Sequence, residues 1–84
     1  MTNTNNPSLV RFVLGQLRLG LQFGALAERR GFEIYAERNR ANAERSYLTA
    51  RSFASRLWFD AAEVEIYDTL ETRLRLMLAA LGAS

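Results

Sequence analysis

The chain contains no cysteine, no histidine and no lysine. Without cysteine there is no disulfide, no thiolate nucleophile and no zinc or iron–sulfur site built on thiolates. Without histidine, the commonest general base and the commonest metal ligand are both missing. Without lysine, no side-chain amine is present to form a Schiff base. These absences argue against an enzyme, and the sequence assigns no catalytic residue, no metal ligand and no cofactor.

Strong charge of either sign is also lacking. The 11 basic residues, all arginine, face 9 acidic residues, which leaves a formal net charge of +2 at pH 7. A charge this small is a weak general argument for nucleic-acid binding. The apolar stretch near the N-terminus is interrupted by Arg11 and Arg18 and does not resemble a secretory or transmembrane segment. We therefore expect a cytoplasmic protein without a transmembrane segment.

The length of 84 residues suits one small domain. A chain of this size buries only about 60–65% of the surface that it exposes when unfolded, so a partner that covers more surface would stabilise it. The polar start of the sequence predicts a disordered tail over residues 1–6. Residues 7–84 are predicted to form a single helical domain.

The segment QLRLGLQF, residues 16–23, admits two interpretations. Polar and apolar residues alternate in it, as in a half-buried strand, but the alternation stops upstream, and no other stretch offers a long alternating partner. At helical periodicity, an arginine-bearing stripe lies opposite a seam of small and apolar residues. Asn6 can cap such a helix, Pro7 suits its first position and Gly31 can end it. Despite internal glycines, we predict a helix over about residues 8–30.

A second helix is predicted over residues 32–58, with two lines of residues at heptad spacing. The first line, Ala36, Ala43 and Ala50, would meet the glycine seam of the first helix in an antiparallel hairpin. The second line, on the far side, is Ile34, Ala41 and Leu48. It is either incidental surface apolarity or a strip that contacts a partner.

A third helix is predicted over residues 61–81. Asp60 and Glu63 have the spacing of a capping box at its start, and leucines recur on one face behind them. The sequence therefore predicts an all-α fold, a three-helix antiparallel bundle. From Glu28 to Arg56 there are seven Arg and four Glu, and from Asp60 to Arg75 two Arg and five acids. We expect this contrast to bring arginines near the end of the second helix towards acids near the start of the third. The expected pairs join Arg51 and Arg56 to Asp60, Glu63 and Glu65.

Helix 1 is apolar around most of its circumference. This apolar surface is larger than a single small bundle can cover. This excess predicts self-association, most simply as a two-fold homodimer. The residues expected to carry it are Val13, Leu17, Gly20 and Gly24 in the seam of helix 1.

By elimination, the sequence predicts a non-catalytic module that self-associates and binds a protein through a helical surface. It would act as an assembly factor, an adaptor or a small inhibitor, including inhibitors encoded by mobile elements. The predicted partner-binding residues are Ile34, Arg38, Ala41, Arg45, Leu48 and Trp58, with Arg and Trp favoured as anchors.

Two alternatives stay open at this point. The arginines of the second helix can grip phosphates, which would make the protein a nucleic-acid-binding regulator, although glutamates are interleaved with them as on a solvated, salt-bridged face. Helix 1, with its apolar arc and arginine stripe, can also suit a membrane surface.

Overall fold

A computed structural model describes residues 6–31 and 33–82, which form three α-helices. The helices are α1 (Pro7–Glu28), α2 (Ala36–Ala54) and α3 (Ala61–Gly82), and a 3-10 turn, Glu33–Tyr35, leads into α2. The described residues contain no strand, so the segment 16–23 is helical and the predicted three-helix bundle is confirmed. Of the predicted tail, residues 1–5 lie outside the described part of the chain, as does Phe32, which was expected in the second helix.

The ends of α1 follow from local chemistry. The Asn6 side-chain oxygen accepts hydrogen bonds from the backbone N–H groups of Ser8 at 3.0 Å and Leu9 at 3.2 Å, which caps the helix, and Pro7 occupies a first-turn position. The helix ends at Glu28, two residues before the predicted end, because Arg29 is already extended. Gly31, with φ of 86°, then turns the chain in a conformation that suits glycine.

The second helix is shorter than the predicted range 32–58. Its regular part begins at Ala36 after the 3-10 turn and ends at Ala54. Beyond that point the N–H of Arg56 donates to the carbonyl of Phe53 and the N–H of Leu57 to that of Ala54, so the last turn tightens and the helix stops. The prediction that this helix reaches residue 58 is therefore wrong.

A reciprocal capping box starts α3, as predicted. The N–H of Glu63 donates to the Asp60 carboxylate at 2.8 Å, and the N–H of Asp60 donates to the Glu63 carboxylate at 2.9 Å. Together the two bonds satisfy donors that the first turn of a helix otherwise leaves unpaired. The expected ion pairs of Arg51 and Arg56 do not form among the described residues. The capping box engages Asp60 and Glu63 locally, and the exposed Glu65 pairs with neither arginine.

The three helices pack up, down and up. Gly20 and Gly24 of α1 lie against Leu74 and Met77 of α3 in the same order, so α1 and α3 run parallel, and α2 runs antiparallel to both. The buried core draws on every helix and on the connection after α2. Its members are Val10, Val13, Leu14, Leu17, Tyr47, Ala50, Leu57, Leu70 and Leu74. The bundle is elongated, with extents of 45 × 18 × 18 Å, so each helix presents a long outward face.

Candidate functional site

The seam predicted for self-association is filled by the chain's own helices. Val13 and Leu17 are completely buried, and Gly20 and Gly24 are buried as well. A Cβ placed on Gly20 would lie 2.5 Å from Cδ2 of Leu74 and 3.4 Å from the carbonyl oxygen of Ala43. The glycines therefore allow α2 and α3 to approach α1 closely. Self-association through this seam would require α1 to leave its own bundle.

The residues predicted to bind a partner lie mostly on one line. Spacings of 3, 4 and 3 residues place four of them within about 80° of one another on α2, and the fifth lies in the 3-10 turn just before this helix. We call them the α2 stripe: Ile34, Arg38, Ala41, Arg45 and Leu48. All five are exposed. Ile34 is 84% exposed and Leu48 is 59% exposed.

The α2 stripe lies on the side of α2 that faces away from the bundle. The buried face of this helix is marked by Ala43 and Ala50, both completely inaccessible. At about 100° per residue, these alanines lie roughly opposite the stripe. The aliphatic side chains of the stripe thus have no role in packing the core, and their surface is available to another molecule.

Charge is distributed unevenly around the α2 stripe. Glu37 and Glu44 follow one edge, where Arg40 forms an ion pair with Glu37 and interacts electrostatically with Glu44. The hydrogen bond from Arg40, followed by its charge, lowers the pKa of the exposed Glu37 carboxyl. Within the described residues, Arg38 and Arg45 make no ion pair. The stripe therefore carries two positive charges that no acidic side chain in the described part of the chain pairs with.

Trp58, also predicted to bind the partner, does not lie on α2. It belongs to the connection between Ala54 and Ala61, because α2 ends earlier than the sequence suggested. Its side chain is 53% exposed, whereas the neighbouring Leu57 is buried in the core. The structure thus places four of the six predicted contacts on one face of α2, with Ile34 in the 3-10 turn before the helix and Trp58 in the connection after it.

A second exposed line, on α1, was missed at the sequence level. We call it the α1 stripe: Ser8, Phe12, Gly15, Leu19, Gln22 and Leu26. Its members are all exposed and all uncharged, and Phe12, Leu19 and Leu26 are 41%, 38% and 37% exposed. A Cβ on Gly15 would meet nothing within 4 Å. The pattern that marks this line in the sequence is a spacing of 3 and 4 residues without a charged side chain, on the side of the helix opposite the glycine seam.

Where α2 meets α3, the bundle contains a polar cluster. The Tyr47 hydroxyl donates to the Glu71 carboxylate at 2.7 Å, and Arg75 pairs with Glu71 at 3.3 Å. The Arg51 guanidinium lies 5.8 Å from the centre of the Tyr47 ring. Burial and the bond to Glu71 raise the pKa of Tyr47, and burial followed by the charge of Glu71 raises that of Tyr67. These interactions orient α2 against α3.

The remaining surface of the described residues contains depressions but no metal-ligand cluster. The described residues contain no group of three or more acidic side chains arranged to hold a metal ion. One surface depression of about 410 Å³ contains charged groups, Glu37 and Arg40, and these pair with each other. A second, of about 420 Å³, is lined mainly by small and apolar residues near the start of α3. Among the described helices, none is long and apolar enough to cross a membrane.

Comparison with known proteins adds no assignment. No protein-family model matches the chain, and no curated protein or solved structure matches it either.

Proposed function

We propose that this chain is a non-catalytic helical module that binds a protein partner through the α2 stripe. The observation that carries the proposal is the exposure of Ile34 and Leu48, at 84% and 59%, on the side of α2 that the bundle does not use. Covering a large aliphatic side chain contributes about 1.5–3 kcal/mol, and exposed arginines supply directional contacts beside it. Such a module would act in the cytoplasm as an assembly factor, an adaptor or a small inhibitor, including those encoded by mobile elements.

Photo-crosslinking at single positions tests this proposal. A benzophenone amino acid replaces Leu48 in one variant and Thr72, exposed on α3, in a matched control, and both are expressed in the native host. We expect irradiation to join the Leu48 variant to one defined protein, identified by mass spectrometry, and the control to give no such product. The same products from both positions, or no protein product from Leu48, would contradict the proposal.

Nucleic-acid binding is the second candidate, and the absence of ion pairs to Arg38 and Arg45 within the described residues favours it. If it is correct, labelled duplex or single-stranded DNA or RNA will bind at low salt, and binding will weaken steeply as salt is raised. Replacing both arginines by glutamine will abolish that binding.

A membrane-surface role for helix 1 is the third candidate. Of the large apolar side chains of α1, only Phe12, Leu19 and Leu26 are well exposed and could contact a membrane.

Self-association is the second part of the proposed function, and the exposed Gly15 supports a location on the α1 stripe. Glycine inside a helix costs about 0.5–1 kcal/mol relative to alanine, and no packing within the described chain explains Gly15. In an antiparallel two-fold pair of α1 helices centred at residue 17, Leu19 would face the gap at Gly15 of the second copy. Phe12 would likewise face Gln22, so that a large residue meets a smaller one in each layer.

Sedimentation over a range of concentrations tests this second part. We expect a dimer at micromolar concentration, and a monomer for Leu19→Glu, which places a charge at the centre of the contact. Leu76→Glu, at an exposed leucine of α3, is the control and should still dimerise. A wild-type protein that stays monomeric at all concentrations would exclude self-association.

A further inference from the structure

Along the α2 stripe, apolar and positively charged side chains alternate. Aliphatic side chains at Ile34, Ala41 and Leu48 are separated by guanidinium groups at Arg38 and Arg45. The stripe extends over about 20 Å, with Ile34 in the 3-10 turn and the stretch from Arg38 to Leu48 on α2. Because its members on α2 recur at spacings of 3 and 4 residues, a second helix can follow that stretch at a shallow crossing angle.

The charges of the stripe are not balanced from within the described chain. The nearest acids on α2 follow one edge only, and there Glu37 and Glu44 both interact with Arg40. The opposite edge is formed by Asn42 and Thr49, which are polar but carry no charge. A molecule that covers the stripe must therefore supply anions at two positions and apolar surface at three, because a guanidinium group that is buried without a partner weakens the complex.

We propose that the occupant of the α2 stripe is an acidic amphipathic helix of another protein, whose contact face alternates aliphatic residues with Glu or Asp at heptad spacing. This inference depends on the proposed function, because it names the class of partner that the same surface binds. Each carboxylate would pair with one arginine, through two parallel hydrogen bonds in a bidentate arrangement. The aliphatic layers on both sides would exclude water from those pairs and strengthen them.

The distribution of charge argues against a nucleic acid as the occupant. Duplex DNA carries one negative charge for about every 1.7 Å of its axis, whereas the stripe offers two guanidinium groups over about 20 Å. Three of the five contact positions are aliphatic, and these would meet sugar–phosphate surface without benefit. A second copy bound through the same stripe is disfavoured too, because both copies would bring Arg38 and Arg45 into the contact, and the flanking glutamates already interact with Arg40.

A designed peptide tests the inference directly. The probe is a labelled helical peptide whose contact face repeats Leu and Glu at the spacing of the stripe, and the control peptide has Lys in place of each Glu. Fluorescence anisotropy measures binding to the intact chain. We expect the Leu/Glu peptide to bind about tenfold more tightly than the Leu/Lys peptide, or better, since the loss of one such charge pair is worth more than about 1.4 kcal/mol.

Charge reversal on the chain supplies the matched control. In the double variant Arg38→Glu, Arg45→Glu the preference should reverse, so that the Leu/Lys peptide binds better. Both positions are exposed, so we expect circular dichroism and thermal unfolding to resemble those of the wild type. Equal binding of the two peptides, no binding of either, or tighter binding of duplex DNA than of the Leu/Glu peptide at moderate salt would overturn the inference.

The crosslinking experiment at Leu48 separates this inference from the proposed function. If the crosslinked segment of the partner is an acidic amphipathic helix, both stand. If a defined protein is captured through a basic, uncharged or non-helical segment, the proposed function stands and the inference fails. If no protein is captured, the proposed function itself fails, whatever the peptides do.

Discussion

Helix α2 carries two lines of residues at heptad spacing, and the line with the smaller side chains is the one that is buried. Ala43 and Ala50 on the inner line are completely inaccessible, whereas Leu48 on the outer line is 59% exposed. On α1, a Cβ placed on Gly20 would lie 3.4 Å from the carbonyl oxygen of Ala43, so the two backbones approach closely at this point and favour a small residue there. Position relative to the neighbouring helices, and not side-chain size, decides burial on α2, because the larger Tyr47 is buried as well.

The other side of α2 is an outward surface with no structural purpose inside the chain. Ile34 and Leu48 remain outside, where their apolar surface is open to any complex that covers it. The close approach of the helices at Gly20 and the exposed α2 stripe thus lie on opposite sides of α2.

The largest expected difference in stability between the buried core and the α2 stripe comes from replacing a leucine by alanine. Leu74→Ala should lower the free energy of unfolding by about 2–5 kcal/mol, because Leu74 is completely buried against Gly20 and its removal leaves a cavity. Leu48→Ala, the matched change on the α2 stripe, should alter it by no more than about 0.5 kcal/mol. Urea unfolding of both variants measures the difference. Similar losses in the two variants would show that the outer line also packs within the protein.

Enlarging an alanine tests the same comparison from the opposite direction. Ala43→Leu should destabilise the protein by about 1–3 kcal/mol or more, because the site is completely buried beside Gly20 and has no room for three further carbons. Ala41→Leu, two residues away and exposed, should leave the free energy of unfolding within about 0.5 kcal/mol of the wild type. Thermal unfolding of the two variants measures this difference in stability. If Ala43→Leu were tolerated as well as Ala41→Leu, the close approach at the glycine seam would be disproved.

The parts of the fold that depend on local chemistry were predictable from the sequence. Asn6, Pro7 and the Asp60–Glu63 pair determine where helices begin, since capping involves residues within one turn of each other. The partition of α2 into an inner and an outer face was also visible, because it follows from periodicity alone.

What could not be predicted depends on distant neighbours. Gly15 and Gly20 are the same residue type on one helix, yet only Gly20 contacts α3, and no local pattern distinguishes them. The end of α2 was placed too late because the sequence after Ala54 continues the apolar periodicity, with Leu57 in the core although it is no longer helical. The expected ion pairs are absent among the described residues: the capping box engages Asp60 and Glu63 locally, and Glu65 pairs with neither Arg51 nor Arg56.

The smallest expected effect concerns the polar cluster on the inner side, where Tyr47 donates to Glu71. Burial first, and the bond to Glu71 second, raise the pKa of Tyr47 above its ordinary value of 10.0 in the folded protein. At pH values between the pKa of the unfolded state and that of the folded state, Tyr47 therefore stays protonated in the folded protein but is deprotonated in the unfolded chain. The free energy of unfolding should be independent of this group below about pH 10 and should fall as the pH rises from there to the folded pKa.

The absence of lysine and cysteine makes that pH range unusually simple to interpret, because among the side chains only tyrosines titrate there. Tyr47→Phe should cost about 0.5–1.5 kcal/mol at neutral pH through the lost hydrogen bond, and should reduce the alkaline decline in stability. A residual decline should remain from Tyr67, whose pKa burial also raises, and should largely disappear in the double variant Tyr47→Phe, Tyr67→Phe. Urea unfolding at closely spaced pH values measures both effects. An alkaline decline as steep in the double variant as in the wild type would mean that α2 and α3 do not bury these hydroxyls, and the contrast between a closed inner face and an open outer stripe would weaken accordingly.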